Sequence, residues 1–231
     1  MITDPLSRRR ALQGGTALGA IGVALGLGAG PTTAATLEPT PEAWEGPWYP
    51  VDWRTTVGSD LTVVAGQPPP QGRAILFGGI VRDTSGAPIQ GIGVQMWHVN
   101  IYGRYAHPDP QNGARHDPGF RGYGDFLTDA VGAYWFRTIE PHTYSRSGPI
   151  VSGDFAPHIH MRLWRGDILL RTVRADFLPR PGAPADTGPH NEPGPGNARW
   201  LDATEVSQLK VPPPMKPVDA AAVFDIVLAA S

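Results

Sequence analysis

The chain has 231 residues, with 19 Lys and Arg against 21 Asp and Glu, and no cysteine. Without cysteine there is no disulfide, no thiolate metal site and no cysteine nucleophile, and a near-neutral chain with no charged run beyond Arg8-Arg9-Arg10 argues against a nucleic-acid partner. The 29 glycines and 26 prolines, set among recurring apolar runs, read as many turns between short strands rather than as disorder.

Residues 1–35 carry the order of a twin-arginine export signal: Ser7-Arg8-Arg9-Arg10, then a Gly/Ala/Leu-rich stretch without charge, then small residues at Thr33-Ala34-Ala35. Its cleavage would leave a periplasmic or extracellular protein with no stable membrane anchor. Residues 36–72 are a loop-rich lead-in, because Glu45-Gly46-Pro47-Trp48-Tyr49-Pro50 and Gln67-Pro68-Pro69-Pro70 hold too many prolines for central strands. Residues 73–231 form one domain. Strands are expected at 74–82, 93–99, 132–139, 158–164, 168–177 and 223–228, with 168–177 the hairpin partner of 158–164 through Arg165-Gly166-Asp167. Short helices are expected at 203–210 and 218–223. The Pro/Gly stretch 179–197 is too long for a simple connection. The fold class is therefore all-β: a β-sandwich of mostly antiparallel strands, with long loops around a metal site.

The metal site is read from four residues. His158 and His160 stand two apart on a strand, so both point to one face about 7 Å apart and can close on one ion. Tyr105 and Tyr144 precede them. Imidazole suits iron, copper and zinc, and two phenolates beside two imidazoles favour ferric iron. His98, on the second strand, reads as a support behind the metal ligands or as structural, and His107 as a loop histidine.

An ordered series of motifs points the same way. Glu45-Gly46-Pro47-Trp48-Tyr49, Gly79-Ile80-Val81-Arg82-Asp83, Val94-Gln95-Met96-Trp97-His98 and Gly103-Arg104-Tyr105 come first. Asp117-Pro118-Gly119-Phe120-Arg121-Gly122, Phe136-Arg137-Thr138-Ile139-Glu140-Pro141 and Pro157-His158-Ile159-His160 follow. Together they resemble the intradiol ring-cleavage dioxygenases, in particular the protocatechuate 3,4-dioxygenase branch. The resemblance implies one non-haem Fe(III) per chain, held by Tyr105, Tyr144, His158 and His160. Tyr144 would be the phenolate that lets go when a catechol-type diol chelates the metal. The diol and O2 would be the reactants, ring opening between the hydroxylated carbons the reaction, and a muconate-type dicarboxylate the product. Gly46, Pro47 and Trp48 match a segment that borders the substrate. The default assembly is a homodimer.

One departure stands out. Where the family usually has Arg, three residues before the first histidine, this chain has Phe155. Loss of that cation bears on rate and substrate. Arg146, just after Tyr144, is the expected replacement, and Arg104 and Arg121 are further candidates to meet a carboxylate. Two other functions stay open: a sandwich that binds aromatic diols or iron without turnover, and a structural transthyretin-like sandwich with no metal.

Overall fold

A computed structural model describes residues 36–53, 58–109, 111, 113–148, 151–182, 197–209, 215, 218 and 220–229. The expected export signal at 1–35 and most of the 179–197 stretch lie outside the described residues. Among those described are eleven strands and one short helix. The strands begin with β1 (Ala74–Asp83), β2 (Gly93–Trp97), β3 (Tyr123–Leu127), β4 (Ala133–Ile139), β5 (Tyr144–Arg146) and β6 (Gly153–Phe155). Then come β7 (His158–Arg165), β8 (Ile168–Phe177), β9 (Asn197–Trp200), α1 (Ala203–Gln208), β10 (Ala221–Val223) and β11 (Ile226–Leu228). Among the described residues no helix is long and apolar enough to cross a membrane.

The main sheet runs β11-β1-β10-β9-β8-β7-β2-β3, with β4 also on β1, and β5-β6 make a separate ribbon. Pairing is mostly antiparallel; β1 with β10 and β11, and β8 with β9, are the parallel pairs. Side chains alternate faces along each strand, as the pleat requires. Phe77 and Val81 of β1, Tyr134 and Phe136 of β4, Met96 of β2 and Ile159, Met161 and Leu163 of β7 thus bury together in one apolar cluster. The opposite parity of β7 is left for His158 and His160. A smaller cluster of Trp48, Trp97, Val99 and Tyr105 lies beside them.

The C-terminal end corrects two expectations. The single strand expected at 223–228 is two, and the helix expected at 218–223 contains β10. Alanine favours helix, but propensity is a weak force that tertiary pairing overrides where Ala221 and Ala222 are fully buried between β1 and β9. The break falls at Phe224-Asp225, and Gly79 permits it: a Cβ there would lie 2.2 Å from the Phe224 carbonyl oxygen. The bent segment is pinned by Tyr134, whose hydroxyl donates to that carbonyl at 2.5 Å, and by Ile80 N–H donating to Asp225 Oδ1 at 2.9 Å. Helix α1 forms where expected, opened by a reciprocal capping box of Asp202 and Glu205. Strands β3, β5, β6 and β9 were not expected from sequence.

Candidate metal centre

The two histidines are placed by strand register. On β7, His160 pairs with Trp97 of β2 on one side and with Arg174 of β8 on the other, and His158 pairs with Asp176. Both imidazoles are buried. Their rings stand 4.8 Å apart and nearly perpendicular, and Trp97 stacks on His160 at 5.2 Å. His158 Nδ1 contacts the Ala156 carbonyl at 2.7 Å. A carbonyl only accepts, so Nδ1 carries the proton and Nε2 keeps its lone pair.

Tyr105 comes from a loop and Tyr144 from the first position of β5, each with specific supports. The Tyr105 backbone is clamped by the Gln111 side chain, which accepts from Tyr105 N–H at 2.7 Å and donates to Tyr105 C=O at 3.1 Å. Tyr144 opens β5, and opposite it on β6 Phe155 stacks on its ring at 5.0 Å and 19°. Gly103 lets the two loops meet: its φ is +76°, and a Cβ there would lie 2.7 Å from Tyr144 Cβ. Trp48 stacks on Tyr105 at 5.4 Å.

Three donor atoms converge as a result. Tyr105 Oη lies 3.0 Å from Tyr144 Oη and 3.2 Å from His158 Nε2, and Tyr144 Oη lies 3.4 Å from the same nitrogen. Ligands held about 2.0–2.2 Å from a common ion are separated by about 3.0–3.5 Å, so this spacing suits coordination as well as hydrogen bonding. Burial keeps the imidazoles neutral: it lowers His158 to about 4 and His160 well below its ordinary value, with the neighbouring His158 and Arg174 adding to the latter. Burial also raises the Tyr144 phenol to about 12 and pushes Tyr105 up, helped by Tyr144 beside it. Neutral imidazoles are ready ligands. Two buried phenols would ionise only against a cation, which reverses the local preference. No group of three or more His, Cys, Asp or Glu among the described residues could hold a metal instead. The donor set thus fits a hard, highly charged ion such as ferric iron.

A cavity of about 30 Å³ touches these donors. Its walls include Gly46, Pro47, Trp48, Trp97, Val151 and Phe155, so all three expected substrate-bordering residues line it. The expected replacement cation does not. Arg146 lies over the rings of Trp48 and Tyr144, 5.0 and 4.7 Å from their centroids, and donates to the carbonyls of Gly103 and Ser145 and to Gln111 Oε1. Those contacts hold it behind the aromatic wall, so it braces the two loops rather than facing the cavity. Arg104 donates to Ala114 C=O and Arg121 to Val63 C=O, and neither lines the cavity. The cation that does is Arg174, which sequence reasoning missed. His98 is fully buried, with Nε2 2.7 Å from Thr138 Oγ1. His107 and His116 line a separate hollow.

The model of a dioxygenase family matches residues 44–173, which include all four donors. The chain belongs to the intradiol dioxygenase family. Relatives include the protocatechuate 3,4-dioxygenase beta chain of Burkholderia cepacia, 43% identical over 110 residues (48% of this chain, 46% of that protein). Catechol 1,2-dioxygenase 1 of Acinetobacter lwoffii is 35% identical over 105 residues (46% and 32%). The matches thus span half or less of the curated relatives' length. Among solved structures, the dioxygenase domain of a carbohydrate-binding fusion protein from Streptomyces sp. SirexAA-E aligns with TM-score 0.53 at 21% identity, covering 84% of this chain and all of that one. Hydroxyquinol 1,2-dioxygenase from Pseudomonas putida DLL-E4 aligns at 0.58 and 15%, covering 84% and 68%. At these identities the structures speak to fold.

Proposed function

We propose that the chain is a non-haem Fe(III) intradiol dioxygenase, adding O2 to a catechol-type diol and opening the ring between the hydroxylated carbons. The observation that carries this reading is the convergence of Tyr105, Tyr144 and His158 within 3.4 Å of one another, beside His160 and on a cavity walled by Gly46 to Trp48. Tyr105, Tyr144, His158 and His160 would hold the iron. Bound there, iron supplies a Lewis acid that chelates the diol and draws electron density from its ring.

The chain's own residues prepare that event. The donors meet in a small cavity of about 30 Å³, so a ring placed at them would crowd the side chains that line it. Tyr144 is the side chain suited to move. It sits on a two-stranded ribbon of three-residue strands, which has little stability of its own. Tyr105, clamped at both backbone groups by Gln111, stays. Once freed from the donor set, Tyr144 would be placed to take a diol proton at Oη. Trp48 and Trp97 keep the donors dry. The apolar cluster shared by β1, β4, β2 and β7 supports a two-layer sandwich as the rigid frame.

A second reading, diol binding without turnover, is favoured by Phe155, which presents a ring where the family usually has a cation. The test is iron-loaded protein given catechol, protocatechuate and hydroxyquinol in air, with O2 uptake and product followed together. Ring-opened dicarboxylate at one product per O2 supports the enzyme; binding of every diol with no O2 uptake leaves the binder. We further propose that residues 1–35 direct export, on the strength of the twin arginine and the uncharged small-residue stretch that follows it.

A further inference from the structure

The cavity at the four donors has an electrostatic problem of its own. Iron apart, it would gather two phenolates and a diol that sheds its protons, and the segment before His158 offers only the Phe155 ring. The carboxylate on its wall, Glu45, is tied by Arg162, whose guanidinium lies over Tyr49 and does not line the cavity. Among the described lining residues Arg174 is the single cation.

Its position comes from a strand irregularity. The β7–β8 hairpin shifts register between Leu163 and Trp164. Below the shift, Trp164 pairs with Leu169 and Arg165 with Ile168; above it, every partner is displaced by one, so that His160 meets Arg174. Without the shift His160 would meet Val173, and Arg174 would have the opposite facing. Asp176, buried and two residues on, forms an ion pair with Arg174, Oδ1 lying 2.9 Å from Nε, and so holds the group. A guanidinium has five N–H donors, so one carboxylate contact does not exhaust it. Arg174 also forms, with Trp44 and Asp176, a wall of an adjoining cavity of about 180 Å³. It therefore stands at the boundary between the donor cavity and the larger space beside it.

We propose that Arg174, aimed by Asp176, is the cation of this site: it binds the anionic diol and stabilises negative charge developing on the ring, from β8, the role left open at Phe155. The proposal rests on the dioxygenase reading. It takes Arg174 as a substrate-contacting residue and Asp176 as a positioning residue.

The test uses iron-loaded full chain, wild type and Arg174→Gln, with iron content measured on both. Anaerobic 4-nitrocatechol, an acidic diol with a strong visible band, is titrated to a dissociation constant, and turnover is then measured in air. Arg174→Gln should hold the same iron, weaken 4-nitrocatechol by about 10–100-fold and lower kcat by about 100-fold. Phe155→Arg in the Arg174→Gln background should recover part of the affinity, because it returns a cation to the other wall. Asp176→Asn should shift affinity less than Arg174→Gln, since the charge remains. Unchanged affinity and kcat in Arg174→Gln at equal iron overturns the proposal alone. A wild type that binds iron but no diol overturns it together with the dioxygenase reading. A wild type that binds diol without turnover defeats the enzyme reading and still decides the role of Arg174 through the dissociation constants.

Discussion

His98 provides a quantitative check on how the β2 segment is buried. Its ring is fully enclosed, set against Phe120 and Thr138, and burial lowers its pKa from 6.5 to about 3. In the unfolded chain it titrates normally. Above pH 6.5 both states are neutral there and the residue has no pH effect. As pH falls from 6.5 toward 3 the unfolded state binds a proton that the folded state refuses, so stability is lost in that window. Between pH 7 and pH 5 the loss from this residue is about 2 kcal/mol. The assay is urea unfolding of metal-free wild type and His98→Gln at both pH values; Gln can keep a contact with Thr138. The wild type should lose about 2 kcal/mol more than the variant on acidification, with His158 and His160 contributing equally to both. Equal losses would refute the burial argument, because they would mean His98 accepts a proton without unfolding.

Other outcomes follow from the same packing. Gly79→Ala should cost about 3 kcal/mol in urea unfolding, since its Cβ would fall 2.2 Å from Phe224 C=O; a cost under 1 kcal/mol would mean the β10–β11 bend can relax. Tyr144→Phe should retain iron, lose part of the visible absorption and turn over about 100-fold more slowly; an unchanged spectrum would remove Tyr144 from the donors. His160→Ala should leave the metal-free fold intact by circular dichroism and lose most iron by metal analysis. Full iron occupancy in that variant would place the metal elsewhere.

Much of the fold was legible because it is written in periodicity. Alternation in 158–164 puts His158 and His160 on one face, the structure buries Ile159, Met161 and Leu163 on the other, and the hairpin with 168–177 follows from Gly166-Asp167. The C-terminal region was less legible, because nothing local tells Ala220 to Ala222 that a strand pair awaits them between β1 and β9. The three-residue strands β5 and β6 carry no period long enough to read, yet they set Phe155 on Tyr144. Nearness to Tyr144 in sequence points to Arg146, but the Gly103 carbonyl and Gln111, distant in sequence, hold it behind the rings. Arg174 was hidden for a sharper reason. A two-residue hairpin counted without irregularity puts Val173 opposite His160, and only the one-residue shift at Leu163/Trp164 brings Arg174 there.

The most direct measurement on the central claim is a visible spectrum of iron-quantified protein, taken alone, after anaerobic addition of a catechol-type diol, and again after air is admitted. The account predicts a phenolate-to-iron band that shifts with the diol and then bleaches in air as a ring-opened dicarboxylate forms. Iron bound with no such band, or a band that the diol leaves unmoved, would contradict it.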